Sequence, residues 1–187
     1  MLYPEDVRID SLTGEVTPET GRYIKRLSDL AGLYSDRASF DRLIADGDDP
    51  VVYEVIDYRK PQSDLSFGTT IIWPGKVGQE YFMTRGHFHC RRECGEVYYT
   101  QSGRGILILE TREGESRTIG MQPGSCAFIP PDWAHRSVNT GSEKLVFAWF
   151  CATDAGAAYA SILERGMRKL VVDRYGKPAT IDNPRFL

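Results

Sequence analysis

The stretch TRGHFHCRRECGEVYYT, residues 84–100, decides how the rest of this chain is read. His87 and His89 alternate in an aromatic run, and the two-residue period of a strand turns both imidazoles to one face. The polar connection CRRECG follows, and Glu96 opens the next strand-like run. If the two runs form a hairpin, that carboxylate meets the two rings. His135, the remaining histidine, opens HRSVN just after Pro130 and Pro131. Three nitrogens and one oxygen suit iron, manganese, nickel or zinc, with open positions left for a substrate. A lone histidine is usually a surface or hydrogen-bonded core residue. Here every histidine of the chain joins one constellation, which favours a metal site over chance.

Working outward, the runs VVYEVIDY (51–58), SFGTTIIW (66–73), EYFMTRGHFH (80–89), EVYYT (96–100), GILILET (105–111), SRTIG (116–120), SCAFI (125–129), HRSVN (135–139) and KLVFAWF (144–150) read as short strands. Gly75, Gly78, Gly103, Gly114, Gly124 and Gly141 punctuate them. About nine strands at this spacing predict a sandwich or barrel. Helical spacing recurs at Tyr23, Ile24 and Leu27, at Phe40, Leu43 and Ile44, and at Tyr159, Ile162 and Leu163, the last ended by Gly166. The expectation is one domain over 1–187. Residues 1–48 form an N-terminal helical decoration, 49–151 a β-barrel core, and 152–187 a C-terminal helix with an extended tail.

With 187 residues the chain can build a core without disulfides. Lys and Arg total 23 against 26 Asp and Glu, a net charge of -3, which argues against nucleic acid as a partner. No run of about 18 apolar residues is present, and MLYPEDVRID is acidic and polar, so no membrane role and a cytoplasmic location are expected. Cys90 and Cys94 have C-x3-C spacing, but Cys126 and Cys151 supply no second close pair for a thiolate zinc site. Free thiols are the expectation.

The histidine constellation resembles the two cupin motifs. The first runs from His87-x-His89 through Glu96 to Gly103, and the second is Gly124-x5-Pro130-x-Asp132-x2-His135-x3-Asn139. The spacer before Glu96 is longer than usual, and Asp132 stands where the motif commonly has glycine. The resemblance implies an all-β, double-stranded β-helix or jelly roll, with short helices at its periphery and the metal inside one end. More specifically, the chain is similar to the metal-dependent glucose-6-phosphate isomerases of the cupin superfamily. The similarity rests on KRLSD (25–29), DPVVYEV (49–55), TT (69–70), PGKVG (74–78), GHFH (86–89), EVY (96–98), PP-x-WAHR (130–136), DAG (154–156), Tyr159 and DNPR (182–185).

That resemblance implies interconversion of glucose 6-phosphate and fructose 6-phosphate in glycolysis and gluconeogenesis. It implies one divalent metal per subunit on His87, His89, Glu96 and His135, with iron(II) ranked ahead of manganese, nickel and zinc. It further implies a homodimer. Glu96 is the candidate to move a proton through a cis-enediol, slightly preferred to a hydride shift. Thr84 and Gly86, with Thr70 and Tyr159, are the implied phosphate contacts, and Tyr53 and Tyr98 the substrate-facing phenols. Thr84 and Gly86 have the wrong parity for the His87 face of a straight strand, so a bend at Gly86 is expected. Cys151 stands where relatives can carry a tyrosine. Phe88, Phe128, Phe147 and Trp149 read as core, Arg91 and Arg92 as solvated, and Trp133 as either a pocket residue or a support for the His135 loop. A cupin dioxygenase and a non-catalytic sugar-phosphate-binding cupin remain as alternatives.

Overall fold

In the computed structural model, which describes residues 2–186, the predicted strand content is present. The elements follow in order as β1 (Arg8–Ile9), β2 (Val16–Thr17), β3 (Gly21–Arg26), α1 (Arg37–Ala45), β4 (Val51–Tyr58), β5 (Leu65–Ile72), β6 (Lys76–Val77), β7 (Glu80–Tyr81), β8 (Glu96–Ser102) and β9 (Gly105–Glu110). Then come β10 (Ser116–Met121), β11 (Cys126–Ile129), β12 (Ala134–Asn139), β13 (Leu145–Ala152), α2 (Ala160–Arg165), β14 (Lys169–Arg174) and β15 (Lys177–Asp182). A six-stranded sheet, ordered β11-β8-β13-β5-β4-β3, faces a three-stranded sheet, β10-β9-β12, and β15-β14-β7-β6 makes a third. All pairings between these strands are antiparallel. From β8 in the first sheet the chain crosses to β9 and β10 in the second, returns for β11, crosses again for β12 and returns for β13, the alternation of the expected jelly roll.

Period-two geometry then decides what faces inward. Register aligns Tyr23 with Val55, Thr70 and Phe147 across β3, β4, β5 and β13. Two residues along, Asp57, Gly68, Trp149 and Tyr98 align, and beyond them Ser66, Cys151 and Glu96. Gly68 is required by close approach: a Cβ there would lie 2.6 Å from Trp149 Cζ2 and 2.2 Å from the Ile56 carbonyl. Leu107, Leu109, Val138 and Phe147 belong to the main buried cluster.

Three expectations are corrected. The helix anticipated at Tyr23, Ile24 and Leu27 is strand β3 followed by a 3-10 turn at Ser28–Leu30, because pairing with β4 overrides a short helical pattern. The first 48 residues therefore add an edge strand to the main sheet, while α1 is helical as expected. Residues 80–89 are not one strand: after β7 the chain makes only single bridges, Met83 with Val138, His87 with His135 and Phe88 with Ala158. Gly86, at φ 77°, breaks the run, and this is the bend that the parity of Thr84 and Gly86 requires. Phe128 is 65% exposed, because its register partner Val97 lies on the outward face of β8. Phe88, Phe147 and Trp149 are buried as expected, although Trp149 also faces the cleft described next.

Candidate metal centre and substrate cleft

His87 and His89 sit on the irregular segment bridged to β12, Glu96 on the first residue of β8, and His135 near the start of β12. Their donor atoms all lie within 4.8 Å of one another. Metal–ligand bonds of about 2.0–2.2 Å put opposed donors roughly 4.4 Å apart, so this quartet matches the size of one ion's shell. His89 Nε2 lies 3.3 Å from Glu96 Oε2, and His135 Nε2 lies 3.0 Å from the same oxygen.

The backbone fixes both rings. His89 Nδ1 is 3.0 Å from the Cys94 carbonyl and His135 Nδ1 is 3.2 Å from the Trp133 carbonyl. Each Nδ1–H donates outward, leaving an Nε2 lone pair directed inward, the support that ligating histidines normally receive. Trp133 therefore acts on the His135 loop through its backbone. His135 Nε2 is buried without a hydrogen-bond partner, the condition a cation relieves.

Burial, reinforced by His135, depresses His87 to about 3, so its ring is neutral. Burial alone would raise Glu96, but the flanking His135 and His89 outweigh it and hold the carboxyl at about 2. A neutral His87 beside an ionised Glu96 matches the ionisation states that metal ligation needs.

The quartet opens into a cleft of about 280 Å³, partly open to solvent, close to the lower end of the range for small-molecule sites. Its wall is the inward face of the six-stranded sheet, including Thr70, Tyr98, Trp149 and Cys151, completed by Tyr159 and Ala155–Ala157. A smaller recess shares Thr70, His87, Tyr98 and Tyr159 with it and adds Tyr53, Thr84, Arg85 and Gly86. All six expected substrate residues therefore line one connected neighbourhood. Burial pushes Tyr53 up to about 12 and raises Tyr98 further, so both phenols remain hydrogen-bond donors.

Sequence reasoning missed Tyr23, Asp57, Arg59 and Arg85. Arg85 is the most informative, because the sequence shows no basic cluster. Its Nη2 donates to the Asp29 carbonyl at 2.9 Å, its guanidinium lies over Tyr159 at 5.3 Å, and its Nε is buried without a partner. The buried Arg136 donates to the Arg85 carbonyl through Nε at 3.2 Å and Nη2 at 2.6 Å, which anchors the bend. Thr84 Oγ1 accepts from Ser137 N at 3.1 Å, leaving its hydroxyl proton to donate. Gly86 N–H donates to no described residue. Thr84, Arg85 and Gly86, which carry a hydroxyl, a guanidinium and an unpaired N–H, thus border the recess together. Arg91 and Arg92, expected to be solvated, form exposed ion pairs with Asp154 and Asp132.

Comparison with known proteins agrees with this geometry. The family model described as glucose-6-phosphate isomerase matches residues 24–184. The glucose-6-phosphate isomerase of Thermococcus gammatolerans is 44% identical over 185 residues, covering 98% of this chain and 96% of the relative. That of Pyrococcus abyssi is also 44% identical, covering 98% and 97%. The Pyrococcus furiosus protein of the same name is 40% identical, with the same coverage.

Proposed function

The chain belongs to the glucose-6-phosphate isomerase family, and from that premise we propose which of its residues carry the interconversion of glucose 6-phosphate and fructose 6-phosphate. It is a metal-dependent aldose–ketose isomerase, and the observation that carries the reading is the His87, His89, Glu96, His135 quartet at the floor of the cleft. That quartet would hold a divalent ion, iron(II) in first place with manganese, nickel or zinc as substitutes, which would supply Lewis-acid polarisation of the open-chain sugar's C1 and C2 oxygens.

The protein's own part is binding and proton transfer. Thr84 hydroxyl, Gly86 N–H and the Arg85 guanidinium receive the phosphate, with Thr70 and Tyr159 beside them. Tyr53 and Tyr98 donate hydrogen bonds to the sugar chain and fix C1 and C2 near Glu96. Glu96 Oε2 is the oxygen that both histidines approach, whereas Oε1 takes no hydrogen bond from a described residue. Oε1 removes the C2 proton of the aldose and returns it to C1 as the hydroxyl proton passes from O2 to O1. The cis-enediol between these transfers needs no other base.

Two further assignments complete the reading. A homodimer forms through the outward face of the six-stranded sheet, where Phe128, Tyr99, Phe150 and Leu65 are exposed. A cytoplasmic place in glycolysis and gluconeogenesis suits a sugar phosphate and four free cysteines.

The test follows glucose 6-phosphate deuterated at C2 through turnover in water. Loss of label to solvent supports the Glu96 route. Complete retention in fructose 6-phosphate over many turnovers would assign the transfer to a hydride shift instead.

A further inference from the structure

The three segments that carry the quartet are also tied together on their far side. Phe88, between His87 and His89, is buried in the core, and the Arg112 guanidinium lies over its ring with Cζ 4.1 Å from the centroid. Arg112 Nε donates to Asp132 Oδ1 at 2.8 Å. The other oxygen, Asp132 Oδ2, accepts from Arg92 Nη2, and Arg92 lies in the connection between His89 and Glu96. Asp132 itself sits in the turn that leads into His135.

The backbone at Asp132 makes the side chain's role sharper. Its φ is 61°, a left-handed conformation that glycine adopts freely and that Asp and Asn tolerate at some cost. Glycine would satisfy the turn alone, so what the position gains from Asp is the carboxylate. One carboxylate with two guanidinium partners joins the Phe88 segment, the Arg92 connection and the His135 turn. Exposed ion pairs add little to the stability of a whole domain, so their effect belongs in the relative placement of the ligands.

We propose that Asp132, with Arg92 and Arg112, is a positioning clamp that holds the His87–His89 segment, the Glu96 connection and the His135 turn in register for metal binding. The proposal rests on the metal reading of the quartet. Partners that orient ligands from behind commonly change metal affinity by about 10–100-fold. Asp132→Asn keeps the backbone tolerance and removes the charge, and Asp132→Gly relieves the backbone and removes the side chain.

The experiment measures the dissociation constant of Ni2+ for the metal-stripped protein by competition with a chromophoric chelator, alongside metal-free melting. The clamp predicts roughly tenfold weaker binding in both Asp132 variants and in Arg112→Gln, with metal-free melting near that of the parent. Parent-like Ni2+ affinity in all three would overturn the clamp and leave the quartet reading intact. Failure of the parent itself to bind Ni2+, with Glu96→Gln indistinguishable from it, would overturn both.

Discussion

His135 holds its Nε2 3.0 Å from Glu96 Oε2 while its Nδ1 faces the Trp133 carbonyl at 3.2 Å. With the ring proton committed outward, an imidazole lone pair confronts a carboxylate oxygen in a buried site. His89 repeats the arrangement, with Nδ1 on the Cys94 carbonyl and Nε2 3.3 Å from the same Glu96 oxygen. Such facing acceptors repel unless a proton or a metal cation lies between them.

A substitution at Glu96 separates these effects. In Glu96→Gln the amide N–H can donate to the His135 or His89 lone pair, which satisfies the metal-free site. The variant should melt at or above the metal-free parent, gain little on Ni2+ addition, and lose at least about 100-fold in turnover. Calorimetry with and without Ni2+ checks this, and a metal-induced shift equal to the parent's would contradict it.

Gly86 is the backbone hinge of the recess. At φ 77°, an added Cβ would lie 3.1 Å from Arg136 Cβ and 3.2 Å from the His135 carbonyl. Gly86→Ala should therefore cost about 1–3 kcal/mol in strain. A melting point lower by several degrees and a raised KM for fructose 6-phosphate are expected. An unchanged KM would remove Gly86 from substrate binding.

Introducing charge on the outward sheet face addresses assembly. Phe150 and Phe128 pair with Val97 from either side in one row across the sheet, and Phe150 stacks on Phe67 with centroids 6.0 Å apart. Phe150→Glu combined with Phe128→Glu should convert a dimer to a monomer by light scattering. A parent that is itself monomeric, or a double variant that stays dimeric, would refute that interface.

Burial raises the Glu110 carboxyl above its ordinary range, against the opposing hydrogen bond from Arg168 N at 2.6 Å. A carboxyl with a raised folded pKa binds its proton more tightly folded than unfolded, so it favours folding below its unfolded pKa. That contribution is lost as pH rises through the folded value. Glu110→Gln should thus raise the melting point at pH 7 and leave it nearly unchanged at pH 4. An equal shift at both values would locate the effect in packing.

The metal quartet was legible because its chemistry uses few residue types. With three histidines in the chain, each position carried weight, and the His87–His89 period survived even though the surrounding strand did not form. Strands β4, β9 and β12 were legible from their apolar or alternating runs. The misses share a physical cause: they depend on register between distant segments. Tyr23 reaches the cleft only because β3 pairs with β4, and six residues are too few to separate a helical period from a strand. Phe128 has no readable orientation until β11 is aligned on β8. Arg85 faces the recess because Gly86 turns the chain, so the bend inferred from Thr84 and Gly86 was the signal that could have found it.

The most direct measurement is isomerisation of fructose 6-phosphate by metal-stripped protein, before and after titration with Fe2+, Mn2+, Ni2+ or Zn2+, with Glu96→Gln in parallel. The account predicts negligible turnover without metal, restoration that saturates at one ion per chain, and no restoration in the variant. Full turnover by the stripped parent, or none with any metal in a folded, metal-loaded protein, would contradict it.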